Sequence, residues 1–153
     1  GKRYYLSRDL GAAEEQFTRS MRILRSVNCT ALLPSVAFGA RQRGLILIMQ
    51  GSYDEATKML QQSIAAVDKM EAGEFCYSEA SDHRLHALVS LGIAEMKQAQ
   101  SAVDDQGIRD RWGAAHAHFS AAQKVFQACG GPSFLGAEID RLTAMSAGQA
   151  APP

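Results

Sequence analysis

The chain has no surplus of charge of either sign: 16 lysines and arginines balance 16 aspartates and glutamates over 153 residues. No long-range field then favours nucleic acid, an anionic membrane or an acidic substrate, and no direct nucleic-acid partner is expected. It lacks a long apolar run as well. The longest mostly apolar stretch, Gly44 to Met49, falls far short of the roughly 20 residues of a spanning helix, and no basic, apolar, small-residue leader opens the sequence. The expectation is a cytoplasmic protein without a membrane partner. Cysteine is scarce: Cys29, Cys76 and Cys129 are widely spread and form no CxxC pair, which points to free thiols in a reducing compartment. No alternating strand pattern occurs anywhere, so the chain reads as all-α. Its length suits one domain able to bury about 68–70% of the surface its unfolded form exposes.

What is present is a submotif repeated three times. The sets are Leu10, Ala13, Phe17, Ser20, Met21, Leu24; then Tyr53, Ala56, Leu60, Ser63, Ile64, Val67; then Trp112, Ala115, Phe119, Ala122, Gln123, Phe126. Leu10 to Tyr53 and Leu24 to Val67 are both 43 positions apart, and Tyr53 to Trp112 and Val67 to Phe126 are both 59. Large and small residues spaced three, four and three mark one face of a helix, built to stack on neighbours. End signals agree with the period. Asp9 opens the first helix, with Glu14 and Glu15 early and Arg19, Arg22 and Arg25 late, matching the macrodipole; it should end near Val27. Ser52 with Glu55 reads as a capping box ahead of a helix to about Met70. The third helix runs from about Ile108 to a stop at Cys129, Gly130, Gly131, Pro132.

Partner helices lie between these. One follows Pro34 to Gln50 with Val36, Phe38, Ala40, Leu47 and Ile48; another runs from about Ser78 or Ser81 to Ala102 with Leu85, Leu88, Leu91 and Met96. Each holds a mid-helix glycine, Gly44 or Gly92, which costs about 1 kcal/mol against alanine and marks a close crossing. A closing helix from about Ser133 to Ser146 uses Phe134, Leu135, Ile139 and Leu142, ahead of a frayed end.

This pattern resembles the tetratricopeptide repeat. Gly44, Gly51, Tyr53, Ala56 and Leu60 fall at the family's positions, with Ser63 in place of its second alanine; Gly92, Trp112, Ala115, Phe119 and Ala122 match with an insertion. Gly44 to Ala56 spans 12 residues but Gly92 to Ala115 spans 23, and the extra length is close to three helical turns, so both helices can lengthen in phase. Offsets of 43 and 59, against the family's length of about 34, make the array divergent. The resemblance implies antiparallel helix hairpins stacked as a short right-handed α-solenoid over residues 1–146. Its parts would be a partial first repeat at 1–27, a second at 31–70, a long third at 78–129 and a closing helix at 132–146, with a frayed tail at 147–153. Tyr4 and Tyr5 stand where the family would end an earlier helix, so the chain reads as a fragment of a larger one, with an upstream repeat covering Tyr4, Phe17 and Met21.

In such arrays the first helix of each pair lines a concave face that binds extended peptides or helices. Aligned on the glycines, the inward positions are Phe38, Arg41, Gln42, Leu45, Ile48 and Met49, then His86, Val89, Ser90, Ile93, Met96 and Lys97. Leu45 and Ile93 occupy the sites where the family's carboxylate-gripping version places asparagine, so an acidic peptide terminus is not the expected guest. Met49 and Met96 suit an apolar helix or segment; the competing reading is that neighbouring helices of the same protein cover this stripe. An exposed array end can also pair with its own copy as a homodimer.

The other constellations read as structural. His83 and His86 lie three apart beside Asp82, yet no second ligand pair stands in frame, and His116 and His118 diverge on a helix. Cys76 near His83 has no oxyanion hole or orienting third group. No cofactor, metal or catalytic residue is therefore assigned. Glu71, Glu74, Phe75, Tyr77 and Glu79 read as a solvated connector. The leading expectation is a noncatalytic protein-interaction scaffold that takes an apolar peptide or helix in its groove. The alternative is a sensory or regulatory region of a larger bacterial signal-responsive transcription regulator.

Overall fold

The computed structural model describes residues 9–26, 30–71 and 77–150. Among them are six α-helices and a single turn of 3-10 helix, with no strand: α1 (Leu10–Ser26), the turn Thr30–Leu32, α2 (Leu33–Met49), α3 (Tyr53–Glu71), α4 (Tyr77–Ser101), α5 (Asp105–Cys129) and α6 (Ser133–Ala150). Tyr4, Tyr5, Cys29, Phe75, Cys76 and residues 151–153 lie outside the described residues.

Local chemistry sets the helix ends. The Asp9 carboxylate accepts the Ala12 N–H at 3.1 Å, satisfying one of the donors that a helix start leaves free. Pro34 sits in the first turn of α2, where its missing N–H costs nothing. Gly51 takes φ +80° after α2, and Ser52 N–H reaches back to the Leu47 carbonyl at 2.9 Å. The expected Ser52–Glu55 capping box is not formed. Ser52 closes the first turn of α3 through its main-chain carbonyl, which accepts from Ala56 N–H at 3.0 Å. α5 begins three residues before the expected Ile108, because extended Asp104 caps it by accepting Gly107 N–H at 2.6 Å. Gly130, at φ +76°, ends it.

Of two expectations on extent, the first is met and the second is corrected. The insertion is absorbed as helix: α4 and α5 have 25 residues each, against 17 and 19 in α2 and α3. The closing helix continues past Ser146 to Ala150 where fraying was expected, because Met145 and Ala150 pack on the cluster around Trp112 and Phe119.

Three-residue turns fold α3 back along α2, α5 back along α4 and α6 back along α5. Cross-helix bonds trace the antiparallel register. Phe17 meets Phe38 edge-on at 6.5 Å between centroids while Glu14 pairs with Arg43 at 3.5 Å. The Ser63 hydroxyl donates to the Ala37 carbonyl at 2.8 Å. Arg84 donates to Asp68 at 2.6 Å at one end of the α3–α4 seam, and Gln98 to Asp54 at the other. Arg111 reaches Glu95 at 2.9 Å, and Gln123 donates to Asp140 at 2.7 Å. α2 also lies along α4, with Ala37 and Ala80 in one buried cluster.

The repeated face is the packed one. Ala13, Ala56, Leu60, Ser63, Ala115, Phe119 and Ala122 are all fully buried, and Phe17 and Trp112 nearly so. The mid-helix glycines stand at the crossings. A Cβ on Gly44 would lie 2.6 Å from Leu60 Cγ, and one on Gly92 would overlap the Phe119 ring at 2.6 Å from its Cδ1. Phe17 and Met21 are buried within the described residues. Phe17 packs on α2, and Met21 Sδ would stand 2.8 Å from a Cβ on Gly39, so no upstream repeat is needed to cover these two side chains.

Candidate functional site

Two mostly apolar surfaces stand out among the described residues once the core is filled. The first is a strip on α2. Leu45 and Ile48 are half-buried and Met49 is 57% exposed, and none of the three belongs to the buried clusters. Arg41 and Gln42 lie on the same stripe, half-buried, and Phe38 continues it under the Arg41 guanidinium, 5.6 Å above its ring centre.

The α4 half of the expected groove is partly occupied by this chain's own helices. Val89, Ile93 and Met96 pack against the cluster of Ala99, Trp112, Ala115, Phe119 and Leu142, and Ser90 is buried with its hydroxyl donated to the His86 carbonyl at 2.8 Å. Helices α5 and α6 of this same chain occupy that side. From α4, half-buried His86 and exposed Lys97 remain reachable.

The second surface is a cleft of about 410 Å³ where the late part of α1 meets the first turns of α2 and α4. α1 contributes Phe17, Ser20 and Met21, α2 contributes Pro34, Ser35, Phe38 and Gly39, and α4 contributes Glu79 and His83. Sequence reasoning assigned none of these except Phe38 to a binding surface. The signal in the sequence was Gly39, a second glycine on α2, which leaves room beside Met21. Glu79, read as part of a connector, belongs to the first turn of α4.

His83 is 9% exposed, and its Nδ1 is buried without a hydrogen-bond partner. Burial, then the nearby Arg41 guanidinium, holds His83 below the ordinary histidine value of 6.5, against the pull of Asp82 and Glu79. The same two causes lower His86, which stands 3.5 Å from the Asp82 carboxylate. Burial lowers His118 against the pull of Glu95. His116 is a strut: its Nδ1 lies 3.2 Å from both the Thr143 carbonyl and the Ser146 hydroxyl.

These three depressed histidines fix the sign of a pH dependence. Each binds its proton less readily in the folded chain, so below the unfolded value of about 6.5 the unfolded state takes up more protons and gains on the folded one. Their contribution is present above that pH and lost as pH falls through it towards the lower folded values. Acidification from about pH 7.5 to about pH 5 is expected to lower the melting temperature, and His83→Gln to flatten that slope. Thermal unfolding across a pH series measures both; a melting temperature that holds or rises on acidification contradicts the sign.

A polar cleft of about 500 Å³ lies at the far end, lined by Asp54, Glu55, Gln98 and Arg111 among others. There Gln98 is bonded to Asp54 and Arg111 to Glu95, so much of its polar lining is already engaged internally. No group of three or more His, Cys, Asp or Glu among the described residues is arranged to hold a metal ion, and no described helix is long and apolar enough to cross a membrane. Cys129 is a free thiol. Comparison with protein-family models, with curated proteins and with solved structures gives no match.

Proposed function

We propose that the chain is a noncatalytic protein-interaction module, a short right-handed solenoid of tetratricopeptide-like hairpins working in the cytoplasm. It binds an apolar peptide or helix along the α2 strip. The observation that carries this reading is the position of Leu45, Ile48 and Met49: an apolar line on a helix whose other faces pack on α1, α3 and α4, left outside every buried cluster. Burying it yields about 25 cal/mol per Å² before ordering costs are subtracted. Arg41, His86 and Lys97 flank it and set which partner charges are tolerated. The 410 Å³ cleft favours a second reading, a ligand-sensing region of a larger bacterial signal-responsive regulator, which flanking sequence encoding a helix-turn-helix would support.

The test is to select peptides against the protein from a displayed library and measure their affinity for Ile48→Glu and Met49→Glu variants. Both positions reach solvent, so the fold is expected to hold, as circular dichroism will report. Binding is expected to weaken at least about tenfold, or roughly 1.4 kcal/mol. Undiminished affinity in both folded variants removes the strip from the role.

A further inference from the structure

The cleft between α1, α2 and α4 has a chemistry distinct from the α2 strip. Its walls are two aromatic rings, Phe17 and Phe38, with the Met21 thioether and Pro34. Aromatic rings favour offset or edge contacts with another ring, and a thioether sulfur is attracted to a ring edge, so this lining suits a planar aromatic guest. A volume of about 410 Å³ falls within the range of roughly 300–1,000 Å³ found for small-molecule sites.

Four polar side chains interrupt this mostly apolar wall, Ser20, Ser35, Glu79 and His83, and His83 is the buried one among them. His83 is more than nine-tenths buried, and its Nδ1 has no partner, whereas buried polar atoms are nearly always paired and an orphan costs about 1–3 kcal/mol. The surroundings that keep its imidazole neutral, burial and the Arg41 cation, leave one ring nitrogen as an acceptor. His83 lines the cleft, and of its two ring nitrogens only Nδ1 is both buried and unpartnered, so Nε2 is the nitrogen that a guest donor can reach. Charge does not favour an ionic guest. The Arg41 guanidinium and the Glu79 carboxylate act on His83 with opposite sign, and burial that disfavours the imidazolium disfavours a guest ion as well.

We propose that this cleft binds a small uncharged aromatic molecule carrying a single N–H or O–H donor, of the size of indole or phenol, with its ring laid over the surface that Phe17, Phe38 and Met21 turn to the cleft and the donor on His83. The site shares Phe38 with the α2 strip but none of Leu45, Ile48 and Met49, so variants at Ile48 and Met49 test the strip and His83→Phe tests the cleft.

The experiment is a titration of the isotope-labelled protein with indole and, separately, with benzothiophene, which has the same shape but no N–H. Backbone amide shifts locate the guest and calorimetry gives the affinities. Indole is expected to produce saturable shifts at Ser20, Ser35 and Gly39, with benzothiophene at least about tenfold weaker, a factor of ten being roughly 1.4 kcal/mol. His83→Phe, which keeps a ring but removes both nitrogens, is expected to erase that preference while leaving benzothiophene binding in place. The proposal is overturned by absence of saturable shifts at those amides, by equal affinity of the two probes for the wild-type protein, or by an unchanged preference in His83→Phe. Should that variant not fold, the wild-type comparison of the two probes decides alone.

Discussion

Phe119→Ala is expected to remove about 3–5 kcal/mol of stability, measured by denaturant unfolding followed by circular dichroism. Phe119 is the largest fully buried side chain, and it lies at the centre of the α4–α5 crossing with Ala99, Trp112, Ala115 and Leu142 around it. Deleting the ring forfeits its transfer free energy and leaves a cavity. Its neighbours cannot close that cavity, because Gly92 opposite has no side chain to advance and Trp112 and Leu142 are held by α5 and α6. Against a total of about 5–15 kcal/mol for a domain, this is a large fraction. Phe126 offers the comparison within the same helix. It is only half-buried, over Gly131 and Gly136, and its loss is expected to cost less. Equal losses at both positions would show that the crossing is not where the energy lies.

Gly92→Ala is expected to destabilise by about 1–3 kcal/mol, in opposition to helix propensity. In an isolated helix alanine is better than glycine by about 1 kcal/mol, so the sign alone separates the two effects. The added Cβ would overlap the Phe119 ring, with Cδ1 at 2.6 Å, and that ring is backed by Trp112 and Leu142. Gly44→Ala meets Leu60 Cγ at 2.6 Å, an aliphatic side chain that yields more readily than a ring, and its expected loss is smaller. Gly113 is the control. It lies inside α5 with nothing within 4 Å of its added Cβ, so Gly113→Ala is expected to stabilise by about 0.5–1 kcal/mol. Melting temperatures of the three variants give the order directly.

These crossings were legible in the sequence because each is one-dimensional information. A spacing of three, four and three puts Ala13 beside Phe17, Ala56 beside Leu60 and Ala115 beside Phe119 on one helix face, and a glycine inside a helical pattern needs a reason. Ser63 shows how a polar residue stands at a small-residue position: its hydroxyl is satisfied by the Ala37 carbonyl. Ser20, at the matching place on α1, is exposed and lines the cleft instead. On the α4 half of the groove Val89, Ile93 and Met96 carry the same apolar spacing whether a partner or α6 covers them, so periodicity left both readings open, and in the fold all three pack in part on this chain's own cluster. The cleft was invisible for a different reason. Its walls come from three separated segments, joined only when α1 runs antiparallel to α2 while α4 runs beside it. The Asp104 cap was hidden by Gly107, which breaks the apolar pattern at the first turn it serves.

The measurement that bears most directly on the interlock of large and small side chains is the double-mutant cycle joining Gly92→Ala to Phe119→Ala. If the ring fills the space that the glycine leaves, the new methyl group is harmless once the ring is gone. The two losses are then expected to fall short of additivity by about 1 kcal/mol or more, within the range seen for residues in contact. Losses that add to within about 0.3–0.5 kcal/mol, as for independent sites, would contradict the packing on which the arrangement of all six helices rests.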